Sequence, residues 1–161
     1  NMNLAGGAML DIGVYALSIV RSFMSEKPDE IVSQWKPSPT GSDEQATILL
    51  KNSKDEMATV ALSMHSKQPK RAMISCEKGY IEIMEYPRAS KAVIVDAESG
   101  NTREIEAGQT ENALYYEMMD MEAAVKNADA SEMKLEYSRD VMDIMTRLRK
   151  DWNMKYPDEE W

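Results

Sequence analysis

The chain has one cysteine, Cys76, and one histidine, His65. A lone thiol closes no intramolecular disulfide, which points to a reducing compartment and an expected cytoplasmic location. Cys76 falls in an extended run and reads as a buried structural thiol. With one histidine no His-rich metal cluster forms, and there is no H-E-x-x-H, C-x-x-C or EF-hand loop. The seven glycines contain no G-x-G-x-x-G, so the phosphate-binding fingerprint of a dinucleotide fold is missing. Basic residues are also scarce, 19 against 28 acidic, for a net charge of −9. Such a surface repels phosphate backbones and anionic bilayers, so neither nucleic acid nor membrane is an expected partner. The one long apolar run, Ala8 to Met24, is interrupted by Asp11, Tyr15, Ser18, Arg21 and Ser22 and lacks a basic flank in front. It reads as neither a signal peptide nor a membrane span.

What remains is a chain of 161 residues, enough for one domain with a core of its own. Residues 8 to 24 read as a helix, apolar nearly all round. Its polar residues Asp11, Tyr15, Ser18 and Ser22 are spaced 4, 3 and 4, which is one helical stripe. Gly13 costs this helix about 1 kcal/mol relative to alanine and suggests the close approach of another backbone or a ligand. The 14 methionines fall mostly at core-like positions and read as packing filler.

After "SEKPDE" the pattern turns extended. Strands are predicted over Glu30–Trp35, Gln45–Lys51, Met57–Ser66, Arg71–Cys76, Tyr80–Met84, Lys91–Val95 and Thr102–Glu106. "KPSPTGSDE" reads as a loop and "NSKDE" as a hairpin turn. Ala58, Val60, Leu62 and Met64 alternate with Thr59, Ala61, Ser63 and His65, which gives one apolar face and one small or polar face. Helix returns near 111 to 127 on the stripe Leu114, Met118, Met121 and Val125, and "KNADAS" is expected to break it. A last helix is expected to start at Ser138 as N-cap, with Val141, Ile144, Met145, Leu148 and Trp152 as its buried stripe. Strands grouped between helices predict an α+β fold: an open-faced, mainly antiparallel sheet of about six or seven strands, helices on one face, residues 1–161 a single domain.

Asp11 and Tyr15 are the strongest candidates for chemistry. At i and i+4 on a helix their side chains are neighbours. A buried carboxylate must be paired or neutralised, and a tyrosine near positive charge can serve as general acid or base. The plainer alternative is an Asp that hydrogen-bonds a neighbouring loop beside an amphipathic core Tyr. His65 admits a pocket role but reads more simply as a surface or interface histidine. The acidic end, Asp158 to Glu160, reads as a solvated terminus.

"AGGAMLDIGVYALSIVRSFM" resembles the start of the C-terminal domain of the Gfo/Idh/MocA oxidoreductases, of the glucose–fructose oxidoreductase and dihydrodiol dehydrogenase type. "ATILLKNSKDEMATVALSMHSKQPKRAMISCEKGYIEI" is similar to that family's hairpin and strand–Gly–strand segment. "LYYEMMDMEAAV" and "SRDVMDIMTRLRKDWNMKYPDEE" are similar to its closing helices and terminal Tyr-Pro. The resemblance implies an enzyme with a separate Rossmann domain holding NAD or NADP and a second domain that shapes the substrate pocket and makes the oligomer interface through its sheet. It implies hydride transfer at a carbinol carbon of a sugar or polyol, with Asp11 orienting the substrate and Tyr15 as acid/base in a slot where many relatives carry histidine. The family's Glu-Lys-Pro motif lies upstream of the glycine-rich turn. The copy here, Glu26, Lys27 and Pro28, lies downstream and reads as a coincidental helix exit, with Lys27 favourably placed at a helix C-terminus. The opening "NMN" is expected to mark the second half of a longer protein, whether a fragment, a proteolytic remnant or a short reading frame. No cofactor is expected on this part alone, and a homo-oligomer through the sheet face is. The alternative is a stand-alone, non-catalytic ligand-binding or assembly module, and a weaker one is a different chemistry of Asp11 and Tyr15 without NAD.

Overall fold

The computed structural model describes residues 1–127, 133–157, 159 and 160. The chain is α+β, with two antiparallel sheets and helices at either end of the strand series. It divides into two compact units, Asn1–Lys67 with Glu136–Trp161, and Gln68–Leu135. The expected seven strands are present, in two hydrogen-bonded ladders of three and four rather than one. The third strand ends at Ser63, before a segment containing Pro69, which has no N–H to give a ladder.

In the first unit, β1 (Glu30–Pro37), β2 (Asp43–Lys51) and β3 (Met57–Ser63) form the order β1-β2-β3. Period-two alternation puts Ile31, Leu50 and Ala58 in one inward row, Ser33, Ile48 and Val60 in the next, and Trp35, Ala46 and Leu62 in the third. Ile48, Leu50, Val60 and Leu62 are buried. The opposite face stays open, with Val32 and its partner Leu49 64% and 45% exposed.

Two helices cover the inward face. The first begins as a π-helical turn, Met9–Gly13, and continues as α1 (Val14–Phe23). The expected continuous α-helix over 8 to 24 is therefore wider at its start, a feature frequent at functional sites. Met9, Ala16 and Leu17 are buried, while Asp11, Tyr15, Ser18 and Ser22 are all exposed, so the polar stripe faces outward. By length and composition the segment Met2–Phe23 could cross a membrane; in this fold its apolar side is turned to the sheet. Gly13 does admit close neighbours, the nearest of them apolar side chains. A Cβ there would lie 2.9 Å from the Met9 sulfur and 3.0 Å from Leu62 Cδ1.

The last helix, α3 (Leu135–Asp151), buries Val141, Ile144, Met145 and Leu148 as its spacing predicts. It starts before Ser138, which is helical rather than the cap, because Lys134 at φ 44° makes the left-handed entry. Trp152 stacks on Trp35 at 5.2 Å and donates its indole N–H to Ser33 Oγ, which fixes the end of α3 to β1. Arg21 locks α1 to α3. It is buried, pairs with Asp140 at 2.7 Å, donates to the Met24 carbonyl and lies over the Tyr137 ring. Lys27 pairs with Asp143 of α3 at 2.7 Å, so the downstream Glu-Lys-Pro is a structural helix exit, α1 having ended at Phe23.

The second unit is a meander of β4 (Arg71–Cys76), β5 (Gly79–Met84), β6 (Lys91–Asp96) and β7 (Thr102–Glu106). Cys76 is exposed, which corrects its reading as a buried thiol. It is the last residue of β4, opposite Gly79 at a tight turn, where side chains project into solvent. Helix α2 (Ala113–Asn127) follows, with its predicted stripe Leu114, Met118, Met121 and Val125 exposed rather than packed. Most of "KNADAS" lies outside the described residues.

Candidate functional site

The site is built around the turn that leads into the first helix. Gly7 has φ +153°, a conformation that side-chain-bearing residues rarely adopt, and a Cβ there would fall 2.0 Å from Asp43 Oδ1. The missing side chain lets the Asp43 carboxylate lie against the backbone. Its Oδ2 accepts the Met9 N–H at 2.5 Å, satisfying one of the orphan donors at a helix start. Tyr156 donates its hydroxyl to the Gly6 carbonyl at 3.2 Å from the other end of the chain. The Arg149 guanidinium covers the Tyr156 ring and also pairs with Glu159, which accepts the Tyr156 N–H. Glu159 is thus a tethering group, not part of a solvated tail; Asp158 lies outside the described residues.

Burial decides the electrostatics here. Asp43 is 1% exposed and its Oδ1 has no partner among the described residues. Desolvation pushes its carboxyl above the usual range, opposed in part by the Met9 N–H. The Tyr156 hydroxyl is pushed up by burial and then by the Asp43 charge, which keeps it a donor to Gly6. Together these groups pin residues 6 to 9 and set the angle at which the following π turn presents Asp11.

An open cleft of about 650 Å³ adjoins this turn. Leu4, Gly6, Gly7, Leu10 and Asp11 form one wall, Ser38, Thr40 and Ser42 a second, and Glu44, Met64 and His65 a third. Asp11 N–H is held by the Gly7 carbonyl at 3.2 Å, while its carboxylate is exposed at the cleft. Tyr15 is 49% exposed and outside the cleft lining, farther along the same outward stripe. The structure therefore brings Asp11 and His65 to one cleft and puts Tyr15 beside it.

Glu44 is nearly buried and engaged on both oxygens. Oε1 takes Lys36 Nζ at 2.6 Å and Oε2 lies 3.3 Å from His65 Nδ1. The hydrogen bond from Lys36 holds the Glu44 carboxyl below its usual range, and desolvation opposes this. Sequence reading missed Asp43, Glu44, Arg149 and Tyr156. The available signal was a pair of acids directly ahead of the alternating strand, but loop composition at 36 to 44 hid it. No group of three His, Cys, Asp or Glu among the described residues is disposed to hold a metal ion.

Residues 1–82 match the description GFO/IDH/MocA C-terminal domain. Over 94 residues the chain is 33% identical to a trans-1,2-dihydrobenzene-1,2-diol dehydrogenase from Xenopus laevis, covering 58% of this chain and 28% of that protein. Its fold is similar to that of a UDP-N-acetylglucosamine 3-dehydrogenase from Acidithiobacillus ferrooxidans, with TM-score 0.75, 14% identity, and 87% of this chain and 45% of that one covered. It is also similar in fold to a variant of KijD10, a 3-ketoreductase from Actinomadura kijaniata, solved with TDP-benzene and NADP, with TM-score 0.73, 16% identity, and 90% and 47% covered. The chain thus matches less than half the length of each of these proteins. It belongs to the GFO/IDH/MocA family, as a C-terminal domain of that family.

Proposed function

We propose that this chain is the substrate-binding and oligomerisation domain of an NAD(P)-dependent oxidoreductase that acts on the carbinol of a sugar, polyol or related diol. The observation that carries the reading is Asp11, displayed at a cleft by a turn pinned on both sides, with Tyr15 exposed along the same stripe. A carboxylate accepts hydrogen bonds from hydroxyls, so Asp11 orients the substrate carbinol. Tyr15 exchanges a proton with that hydroxyl as acid and base.

The residues described here do not fit a dinucleotide. Both sheets are antiparallel, there is no βαβ unit among the described residues, and no glycine-rich phosphate turn exists in the sequence. The chain by itself is accordingly expected to bind no NADPH. A fluorescence titration should show no saturable signal up to millimolar cofactor, and micromolar affinity would overturn this assignment.

The open face of the β1-β2-β3 sheet is the proposed oligomer surface, since Val32 and Leu49 form one exposed apolar row with Thr59. Sedimentation of the chain is expected to show a dimer that Leu49→Lys converts to monomer. A monomer at every concentration counts against it.

A further inference from the structure

Helix α2 buries none of its 15 residues. A helix of that length is marginal in water by itself, because helical stability in proteins comes mostly from packing an apolar face. The face is there. Leu114, Met118, Met121 and Val125 follow one another at spacings of 4, 3 and 4 and are between 47% and 76% exposed. That rhythm is the narrow seam of a coiled coil rather than the wider stripe of a helix that lies on a sheet.

The residues beside the seam choose its partner. Tyr115 and Glu122 flank it on one side, Glu117 and Ala124 on the other. Two copies of α2 laid parallel set the Glu117 of each against the Glu122 of the other, two contacts between like charges. Laid antiparallel about a dyad, Met118 meets Met121 of the other copy and Leu114 meets its Val125. Tyr115 then lies opposite the other copy's Glu122, and Glu117 opposite its Ala124. No like charges face each other across the seam, and the Tyr115 hydroxyl has a carboxylate to donate to. Glu122 keeps its own Lys126, one turn on, along the outer side. The opposed helix dipoles favour the same orientation.

We propose that α2 is a second self-association surface, pairing with α2 of another copy of this chain as a short antiparallel coil. It is separate from the sheet face and does not depend on the substrate-domain reading. Four seam residues a side make a small interface, so the contact is weak, with a dissociation constant of about 0.1 mM. At micromolar concentration the sheet-face dimer is then the expected species, and the assembly grows beyond a dimer only well above it.

The test uses the Leu49→Lys chain, which removes the sheet-face contact and isolates α2. Sedimentation is expected to show monomer at micromolar concentration and a reversible dimer near millimolar. Leu114→Glu and Val125→Glu, each added singly, are expected to raise the dissociation constant at least about tenfold, the scale of losing one interface anchor. Both positions are exposed, and an unchanged circular dichroism spectrum at low concentration shows that each variant still folds. Orientation is read by disulfide trapping in a Cys76→Ser background, since the native thiol is exposed. Mixed Leu114→Cys and Val125→Cys chains are expected to cross-link to each other far more than either does to itself. Cross-linking of Leu114→Cys to itself in preference would mean a parallel pair and would overturn the proposed geometry. Association that survives both glutamate variants places the contact elsewhere. A monomer up to millimolar concentration also overturns the proposal, and α2 is then covered by its own chain, by a segment outside residues 1–161 or by another protein.

Discussion

Replacing Tyr15 with phenylalanine is expected to lower kcat by about 10²- to 10⁴-fold in a protein that joins this domain to a dinucleotide-binding one, the usual contribution of a positioned general acid or base. The change removes one hydroxyl from a side chain that is 49% exposed. Folding should hardly respond, because surface substitutions away from caps and networks stay within about 0.5 kcal/mol. Asp11→Asn keeps the shape and one acceptor but removes the charge, so its expected effect falls on KM more than on kcat. The pair of variants separates a proton-transfer role from an orienting role. Steady-state kinetics and a thermal melt on the same preparations check both. A Tyr15→Phe enzyme within threefold of the wild-type kcat would remove Tyr15 from the chemistry, and a Tm lowered by many degrees would move it into the structural core.

The polar stripe behind this prediction was legible because it depends on spacing alone. Residues at 11, 15, 18 and 22 share a face of any near-α helix, and all four emerge exposed. The buried stripe of α3 was legible for the same reason, as was the alternation of β3, whose even-numbered residues Ala58, Val60 and Leu62 turn inward. The α+β class followed from the grouping of strands. What escaped were properties set by distant partners. Local composition made 36 to 44 a loop, yet Asp43 and Glu44 begin β2 and are buried, with the Met9 N–H on one Asp43 oxygen and Lys36 on one Glu44 oxygen. Arg21 interrupts an apolar run, and nothing near it in sequence points to Asp140, far along the chain, which takes its charge. The acidic end looked solvated because nothing near it in sequence shows that Arg149 and Tyr156 need Glu159. Cys76 failed in the opposite sense. It lies in a strand pattern, but at the strand's last position, where burial runs out.

The same distant network carries the largest expected effect on stability, that of Gly7→Ala. The new methyl would sit 2.0 Å from Asp43 Oδ1 and 3.4 Å from the Tyr156 hydroxyl, on a backbone at φ +153°. Neither neighbour can yield cheaply, since both are buried and hydrogen-bonded to the same turn. Overpacking of this kind costs about 1–3 kcal/mol, and a Met9 N–H left unpaired when the carboxylate retreats adds about 1–3. The expected loss is therefore about 2–6 kcal/mol, read as a fall in urea midpoint with unchanged slope. A loss under 0.5 kcal/mol would mean that the turn is not pinned as described. Removing the obstacle tests the cause: Gly7→Ala combined with Asp43→Ala should cost less than the two single changes added together. Asp43→Asn gives the electrostatic half of the argument. Burial raises the Asp43 carboxyl above its unfolded value of about 3.9, so the folded chain holds that proton more tightly than the unfolded chain. The resulting stabilisation is fully present below the unfolded value and is lost as pH rises through the folded one. Asp43→Asn cannot ionise and escapes that loss. Its stability relative to the wild type should therefore improve between about pH 3 and neutrality, which urea titrations at both ends measure. Only the difference between the two proteins isolates Asp43, because Glu44, Glu56 and Asp143 are held below their usual range by partners and drive the absolute curve the other way. A difference that stays flat with pH would mean that Asp43 titrates alike in both states, and that its carboxylate is better solvated beside Gly7 than its burial implies.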